Sequence, residues 1–235
     1  MGSPSPLPAG RRQRKKALTR QAISDIATEM FMARGFDDVT VAEIAEAADV
    51  SVKTVFNHFG SKEELFLDRE AEIFAAITGA IADRAEGRSI TEALAAQLAD
   101  HRIPAGGGWS ALYDPEGAAL FRRFLRTWHE SPSLQGRYRL SNERLAGELR
   151  AALGADAGLA EDDVRVRVMA AMMVGVIHLR YETISAAVCA EVPAGEVERR
   201  VRAVVAEGMA RVARAFPDLD RRQDAQDGRV TSGRL

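Results

Sequence analysis

The sequence predicts an all-α protein, and three observations support this fold class. Hydrophobic residues make up 46% of the 235 residues but aromatic residues only 6%, so the core must be largely aliphatic. Alanine and leucine are prominent among the apolar residues, and both are strong helix formers. Apolar residues recur three and four positions apart, while the alternation typical of strands is hard to find. We therefore expect helices separated by turns.

The first predicted helix runs from about Thr19 to Arg34. Its apolar side chains lie at helical spacing, namely Ile23, Ile26, Ala27, Met30 and Phe31. Gly35 follows, where helices often end in glycine. Residues 1–18 begin with a segment rich in proline, serine and glycine and continue as a basic segment, so we expect a disordered basic arm.

Two short helices follow, at Thr40–Ala48 and Ser51–His58. Thr40 and Glu43 form a capping-box pattern, and Ser51 is placed to cap the second helix. A tight turn between two short helices is typical of a helix-turn-helix motif, whose second helix enters the major groove of DNA. The polar residues expected to face outward are Lys53, Thr54, Asn57 and His58, with Val52 at the leading end. Lys53 and Asn57 have the reach and the donors to read base edges.

In these residues the chain resembles the TetR family of bacterial regulators. The matching runs are Phe31–Phe36, Thr40–Ala45, Val50–Phe59 and Ser61–Leu65. The resemblance implies an N-terminal three-helix DNA-binding domain over residues 19–69. It also implies a role for the matched residues. Thr40 and Lys62 would contact DNA phosphates, and Thr54, Phe56 and His58 would hold the DNA backbone. Val52 and Lys53 would determine which operator sequence is bound. Without the motif around it, His58 could instead be a cation favoured at a helix end, and Lys53 could be a solvated surface residue.

The sequence departs from the family pattern at two positions. Phe56 stands where the family usually has tyrosine, which removes a phenolic hydroxyl but keeps a ring for packing. Asp49 stands where the family usually has glycine, so we expect a left-handed backbone there with modest strain.

The positive charge of the chain is concentrated near its N-terminus. The net charge is −2, yet the first twenty residues contain no acid and these bases: Arg11, Arg12, Arg14, Lys15, Lys16 and Arg20. Phosphate attraction depends on such a local field. Because the segment directly precedes the helix-turn-helix, we interpret it as an arm that contacts DNA; a solubilising tail and a targeting peptide are the alternatives.

Residues 70–216 are predicted to form a larger helical domain, and residues 217–235 a disordered tail. The helices expected from residue 61 onward cover 61–86, 90–102, 115–130, 133–153, 161–189 and 194–215. The resemblance implies that this domain binds a small-molecule ligand and dimerises. Small and β-branched residues recur in 161–189 and 194–215, so these helices are candidates for a homodimer interface. Ordinary packing within one chain would give the same periodicity.

Aromatic, methionine and histidine residues are candidates for a ligand pocket in the larger domain, because such pockets are mostly apolar with a few polar groups. They are Trp109, Tyr113, Phe121, Phe124, Trp128, Met169, Met173, His178 and Tyr181. The same residues could be plain core. The loop Gly106–Gly108 could be a pocket lid or a linker.

No feature of the sequence indicates an enzyme, a cofactor, a metal site or a membrane span. The catalytic and nucleotide-binding motifs are absent, the four histidines are scattered, and Cys189 is the single cysteine. We therefore expect a cytoplasmic homodimeric regulator that binds a palindromic operator on double-stranded DNA, most simply a repressor released by a ligand. The alternative is a helical ligand- or protein-binding module that keeps the fold without specific DNA binding.

Overall fold

A computed structural model describes residues 10–99 and 110–221 of the chain. These residues form helices and no strand, which confirms the all-α prediction. The helices are α1 (Arg11–Arg34), α2 (Val41–Ala47), α3 (Val52–His58), α4 (Lys62–Phe66), α5 (Glu70–Ala82), α6 (Ile90–Ala99), α7 (Ser110–Tyr113), α8 (Pro115–Glu130), α9 (Pro132–Ala157), α10 (Val164–Cys189), α11 (Ala194–Ala215) and α12 (Pro217–Asp220). In the described ranges, no helix is both long enough and apolar enough to span a membrane.

The chain divides into two compact units. The first lies within Met1–Arg69 and Arg123–Arg137, and the second within Glu70–Arg122 and Tyr138–Leu235. Residues 123–137, which the sequence analysis assigned to the C-terminal domain, therefore belong to the N-terminal unit. The boundary between the units falls inside α8 and α9, which each contribute to both.

The core of the first unit is built on one face of α1. Ile23, Ala27 and Phe31 are at most 1% exposed, as their helical spacing predicted. An aromatic cluster completes this core: Phe66 stacks on Phe124 with ring centroids 4.6 Å apart, and contacts Phe31 at 6.0 Å. Burial of such rings is a large part of what holds a small helical unit together.

Helix α1 begins at Arg11, eight residues before the predicted start. The part of the predicted disordered arm from Arg11 onward is therefore helical, while residues 1–9 lie outside the described residues. No proline or glycine interrupts the chain between Gly10 and Gly35, and the arm is rich in arginine, lysine and glutamine, which favour helix. A segment without an apolar stripe can thus extend a helix whose remainder is anchored by packing.

The predicted helix 61–86 is interrupted, so α4 ends at Phe66 and α5 begins at Glu70. Two groups on α1 hold the intervening turn: the Ser24 hydroxyl donates to the Asp68 carboxylate, and the Arg20 guanidinium donates to the Asp68 carbonyl. These are contacts between residues far apart in sequence, so the local pattern does not reveal the break.

Helix α9 continues past Gly154, which the sequence analysis had placed in a break, and ends at Ala157. The Gly154 carbonyl accepts the backbone N–H of Leu159, and a Cβ on Gly154 would lie 2.9 Å from the Leu159 carbonyl oxygen. Glycine is therefore needed there for the close return of the chain. The turn itself is made by Gly158, whose φ is +65°.

The start of the predicted disordered tail is ordered as α12. Leu219 and Asp220 are 6% and 5% exposed. The Asp220 carboxylate accepts the backbone N–H and the hydroxyl of Thr91, at 2.8 and 3.0 Å, at the start of α6. This pairing of distant residues fixes the end of the chain as far as Arg221.

Candidate nucleic-acid interface

Helix α2 begins with a complete capping box. The backbone N–H of Glu43 donates to the Thr40 hydroxyl oxygen at 3.2 Å, and the Glu43 carboxylate accepts the Thr40 backbone N–H and hydroxyl at 2.8 and 2.7 Å. Arg34 from the end of α1 forms an ion pair with the same carboxylate at 2.8 Å. These bonds, those from Thr40 first, lower the pKa of Glu43 to about 2. The predicted cap is confirmed.

The turn between α2 and α3 is strained at Asp49, as expected. Its φ is +50°, a conformation that glycine adopts freely and other residues rarely do. The Val50 N–H bonds the Ala45 carbonyl at 2.9 Å, so α2 and α3 are joined within a compact turn.

Helix α3 packs one side on the unit and leaves the other side open. Val55 is 1% exposed, whereas Val52 is 40% and Phe56 is 50% exposed. Lys53 and Asn57 are also exposed. Phe56 was expected to keep a ring for packing, but half of this residue is exposed, so the chain presents an apolar ring to the surroundings at this position.

The N-terminus of α3 is capped by Ser51. Its hydroxyl accepts the backbone N–H of Thr54 at 3.0 Å, and the two side-chain oxygens lie 2.8 Å apart. Ser51 and Thr54 therefore fix each other, and the start of α3 is well defined.

The C-terminus of α3 is held by Arg20 of α1, a residue that the sequence analysis counted with the basic arm. The guanidinium donates to the His58 carbonyl at 2.5 Å and lies over the Phe59 ring, 4.0 Å from its centroid. Arg20 continues the buried stripe of α1, lying three residues before Ile23, and this spacing was the signal that it packs inward.

The surroundings of His58 at this helix end disfavour a charge on its ring. Burial, and then the charges of Lys16 and Arg20, lower the pKa of its imidazole below the ordinary value. Its Nδ1 is buried and has no hydrogen-bond partner among the described residues. The cation favoured by the α3 dipole is Arg20 instead.

Lys62, implied to contact phosphate, is engaged inside the unit. Its ammonium donates to the Val39 carbonyl at 2.8 Å and lies 4.2 Å from the centroid of the Phe36 ring. Two exposed cations are associated with α3: Lys53 lies on the helix itself, and Lys16 of α1 is close enough for its charge to act on His58.

The candidate ligand residues are divided between the two units. Phe124 and Trp128 belong to the first unit, where they stack on Phe66, so they form its core and not a pocket in the larger domain. Tyr113 is 60% exposed and donates to Glu198 at 3.2 Å, which makes it a surface residue. Trp109 and the Gly106–Gly108 loop lie outside the described residues.

The other candidates lie in the second unit. Phe121, Met169 and Met173 are at most 2% exposed. His178 and Tyr181 surround the ring of Tyr138, which sequence reasoning missed: the Tyr138 hydroxyl lies 2.9 Å from His178 Nδ1, and its ring centroid lies 5.8 Å from that of Tyr181. Burial raises the pKa of Tyr138 and of Tyr181. Across the described ranges, no cluster of side chains could hold a metal ion.

Comparisons with known proteins agree with this geometry. The model of the family "Bacterial regulatory proteins, tetR family" matches residues 23–68, which include α2 and α3. The chain is 31% identical over 169 residues to the HTH-type transcriptional regulator TcmR of Streptomyces glaucescens, covering 72% of this chain and 74% of that protein. It is 48% identical over 46 residues to the HTH-type transcriptional regulator LuxR of Vibrio harveyi, covering 20% and 22%.

The transcriptional regulator FadR of Bacillus subtilis, solved in complex with stearoyl-CoA, superimposes with a TM-score of 0.46 at 21% identity, covering 80% of this chain and 98% of that one. The extent of the match to TcmR, together with the family model on the helix-turn-helix, shows that the chain belongs to the TetR family of DNA-binding transcriptional regulators.

Proposed function

We propose that the protein is a cytoplasmic homodimeric repressor that binds a palindromic operator and is released from it by a small-molecule ligand. The observation that carries the DNA-binding part is the open face of α3, which is fixed at one end by Ser51 and at the other by Arg20. A rigid, exposed helix in a helix-turn-helix is suited to the major groove.

Base reading is assigned to Lys53 and Asn57, which are exposed on this face. Val52 and the exposed ring of Phe56 are suited to apolar contact, such as with a thymine methyl group. Thr40, Thr54 and the backbone at the α3 N-terminus are suited to phosphates, and Lys16 extends the positive field beside His58.

The dimer is assigned chiefly to α10. Its outer face carries an exposed apolar stripe at helical spacing, made of Val164, Val168, Ala171, Gly175 and Leu179. By contrast, α11, the other helix predicted for the interface, packs most of its apolar residues into the core of its own chain: the residues at most 2% exposed are Val197, Val201, Val205, Met209 and Val212. A twofold axis through α10 would place two recognition helices on one operator.

Binding to a pool of genomic fragments at moderate salt tests the DNA-binding proposal. Specific fragments should be enriched over random DNA, and Lys53→Ala should weaken specific binding more than nonspecific binding. If no fragment binds better than random DNA, the alternative of a module without specific DNA binding is favoured. If deletion of the regulator raises expression of a reporter placed behind the operator, the protein is a repressor. If deletion lowers that expression, the repressor proposal is contradicted.

The dimer proposal is tested by placing a charge on the α10 stripe. Val168→Glu should give a monomer in analytical ultracentrifugation, because a carboxylate would be buried without a partner. Leu140→Glu is the matched control, since Leu140 is 56% exposed on α9, outside the stripe. A Val168→Glu protein that stays dimeric would contradict the assignment.

A further inference from the structure

The interior of the second unit contains an arginine that no carboxylate of the described residues pairs with. Arg180 of α10 is 5% exposed, and its Nε donates to the Leu98 carbonyl at 3.0 Å. Its Nη2 is shielded from solvent and has no hydrogen-bond partner in the part of the chain that the structure describes. Within residues 10–99 and 110–221, no acidic side chain forms an ion pair with it.

Another buried arginine of the same unit, Arg84, is paired with a carboxylate. The Arg84 guanidinium, 2% exposed, bonds both carboxylate oxygens of Asp156, at 2.7 and 2.6 Å. Buried charges are ordinarily paired in this way, because an unpaired charge loses its hydration without compensation. Burial lowers the pKa of Arg180 to about 10, so the group stays protonated at neutral pH. Arg180 is therefore a buried cation with donor capacity left over.

The surroundings of Arg180 are apolar. Three residues share its face of α10: Met173 lies seven positions before it, Val176 four before and Ile184 four after. All three are at most 9% exposed. On α6, Leu94 and Leu98 are at most 1% exposed. Met173 was already a candidate for the ligand pocket, whereas Arg180 was not.

A structural role explains only part of this geometry. Leu98 lies in the last turn of α6, where carbonyl groups lack partners within the helix and a cation is favoured. The Nε bond satisfies one such carbonyl. It does not account for Nη2, for which residues 10–99 and 110–221 supply no acceptor.

We propose that Arg180 binds the acidic group of the effector, and that the effector is an amphipathic monoanion with a carboxylate or similar oxyanion on a large apolar body. This inference rests on the proposed ligand response. A guanidinium fork can hold such an oxyanion by two hydrogen bonds, and the apolar residues around it accept the remainder of the molecule.

Two fluorescent probes of nearly the same shape test the proposal on the full-length protein. One is 8-anilino-1-naphthalenesulfonate, a monoanion, and the other is N-phenyl-1-naphthylamine, which has the same rings without the sulfonate. The wild-type protein should bind the anion at least about tenfold more tightly, an advantage comparable to one charge-assisted contact. Arg180→Gln should abolish this advantage and leave binding of the neutral probe within about twofold of wild type, whereas the exposed control Arg167→Gln should keep it.

The outcomes separate this proposal from the proposed function. If Arg180→Gln weakens both probes equally, or neither, Arg180 is a structural cap of α6 and the inference is wrong, although a ligand response stands. If the wild type binds neither probe, the proposed binding of a ligand by the second unit is refuted and the inference falls with it. Should Arg180→Gln not fold, competition on the wild type decides: octanoate must displace the anionic probe at a lower concentration than 1-octanol, and the reverse order would overturn the proposal.

Discussion

Replacing Arg20 with methionine should destabilise the first unit and weaken DNA binding, although Arg20 is not expected to touch DNA. The side chain joins α1 to the end of α3 through the His58 carbonyl and the Phe59 ring. Methionine keeps an apolar stem and removes the donors and the charge. The loss therefore isolates the polar part of the contact.

The size of the effect follows from the contacts. A hydrogen bond from a charged donor contributes about 1.5–3 kcal/mol, and a partly exposed cation–π contact about 0.5–1 kcal/mol. The bond to Asp68 is long, at 3.3 Å, and Arg20 is half-buried, so the lower end of these ranges applies. We expect a loss of about 2 kcal/mol, a factor of about 30 in the unfolding equilibrium. For a chain of this size the melting temperature should fall by roughly 4–8 °C.

Thermal unfolding followed by circular dichroism measures this loss, with Arg14→Met as the matched control. Arg14 is an exposed arginine of the same helix, so its replacement removes the same charge without breaking a tertiary contact. The control should keep its melting temperature. If the arm contacts DNA, the Arg14→Met variant should show a weaker salt dependence of binding. The slope of log K against log salt concentration should fall in magnitude by about 1.8, because the dimer loses two phosphate contacts. Equal melting temperatures for Arg20→Met and wild type would refute the role given to Arg20.

Three further substitutions test the geometry. Asp49→Gly should raise the free energy of unfolding, measured by urea titration, by roughly 0.5 kcal/mol, because φ at Asp49 is +50°. A free energy below that of the wild type would mean that interactions of the aspartate side chain outweigh the backbone strain. Gly208→Ala should lower it by roughly 1 kcal/mol, since the new Cβ would lie 2.8 Å from both Val176 methyl carbons, and an unchanged value would show that Val176 can move. The pKa of Glu43 is lowered in the fold, so its bonds stabilise the protein above the ordinary pKa and that contribution is lost as the pH falls toward about 2. Between pH 6 and pH 3, the melting temperature of Glu43→Gln should therefore fall by less than that of the wild type. An equal fall in both proteins would contradict this.

The helix-turn-helix could be predicted closely because its determinants are local. The caps at Thr40 and Ser51 involve partners three residues away, and the burial of Ile23 and Phe31 follows from helical spacing. The strain at Asp49 could be predicted for the same reason, since a tight turn imposes its backbone angles on whichever residue occupies it.

The features that were missed depend on long-range contacts. Phe124 was assigned to the ligand domain because sequence position alone does not show that its ring stacks on Phe66. The tertiary contacts of half-buried Arg20 and buried Arg180 were missed because arginine in a helix ordinarily faces solvent. Periodicity also could not separate interface from core in α10 and α11, since both are apolar stripes.

The aromatic cluster of the first unit has a consequence for protein engineering. Because Phe124 and Trp128 complete a core that begins at Phe31, the DNA-reading module is not a continuous stretch of chain. A chimaera made by grafting residues 1–69 onto another regulator would bring Phe66 without its stacking partners. Transplanting operator specificity should instead require exchanging residues 123–137 as well, or confining the exchange to the outward side chains of α3.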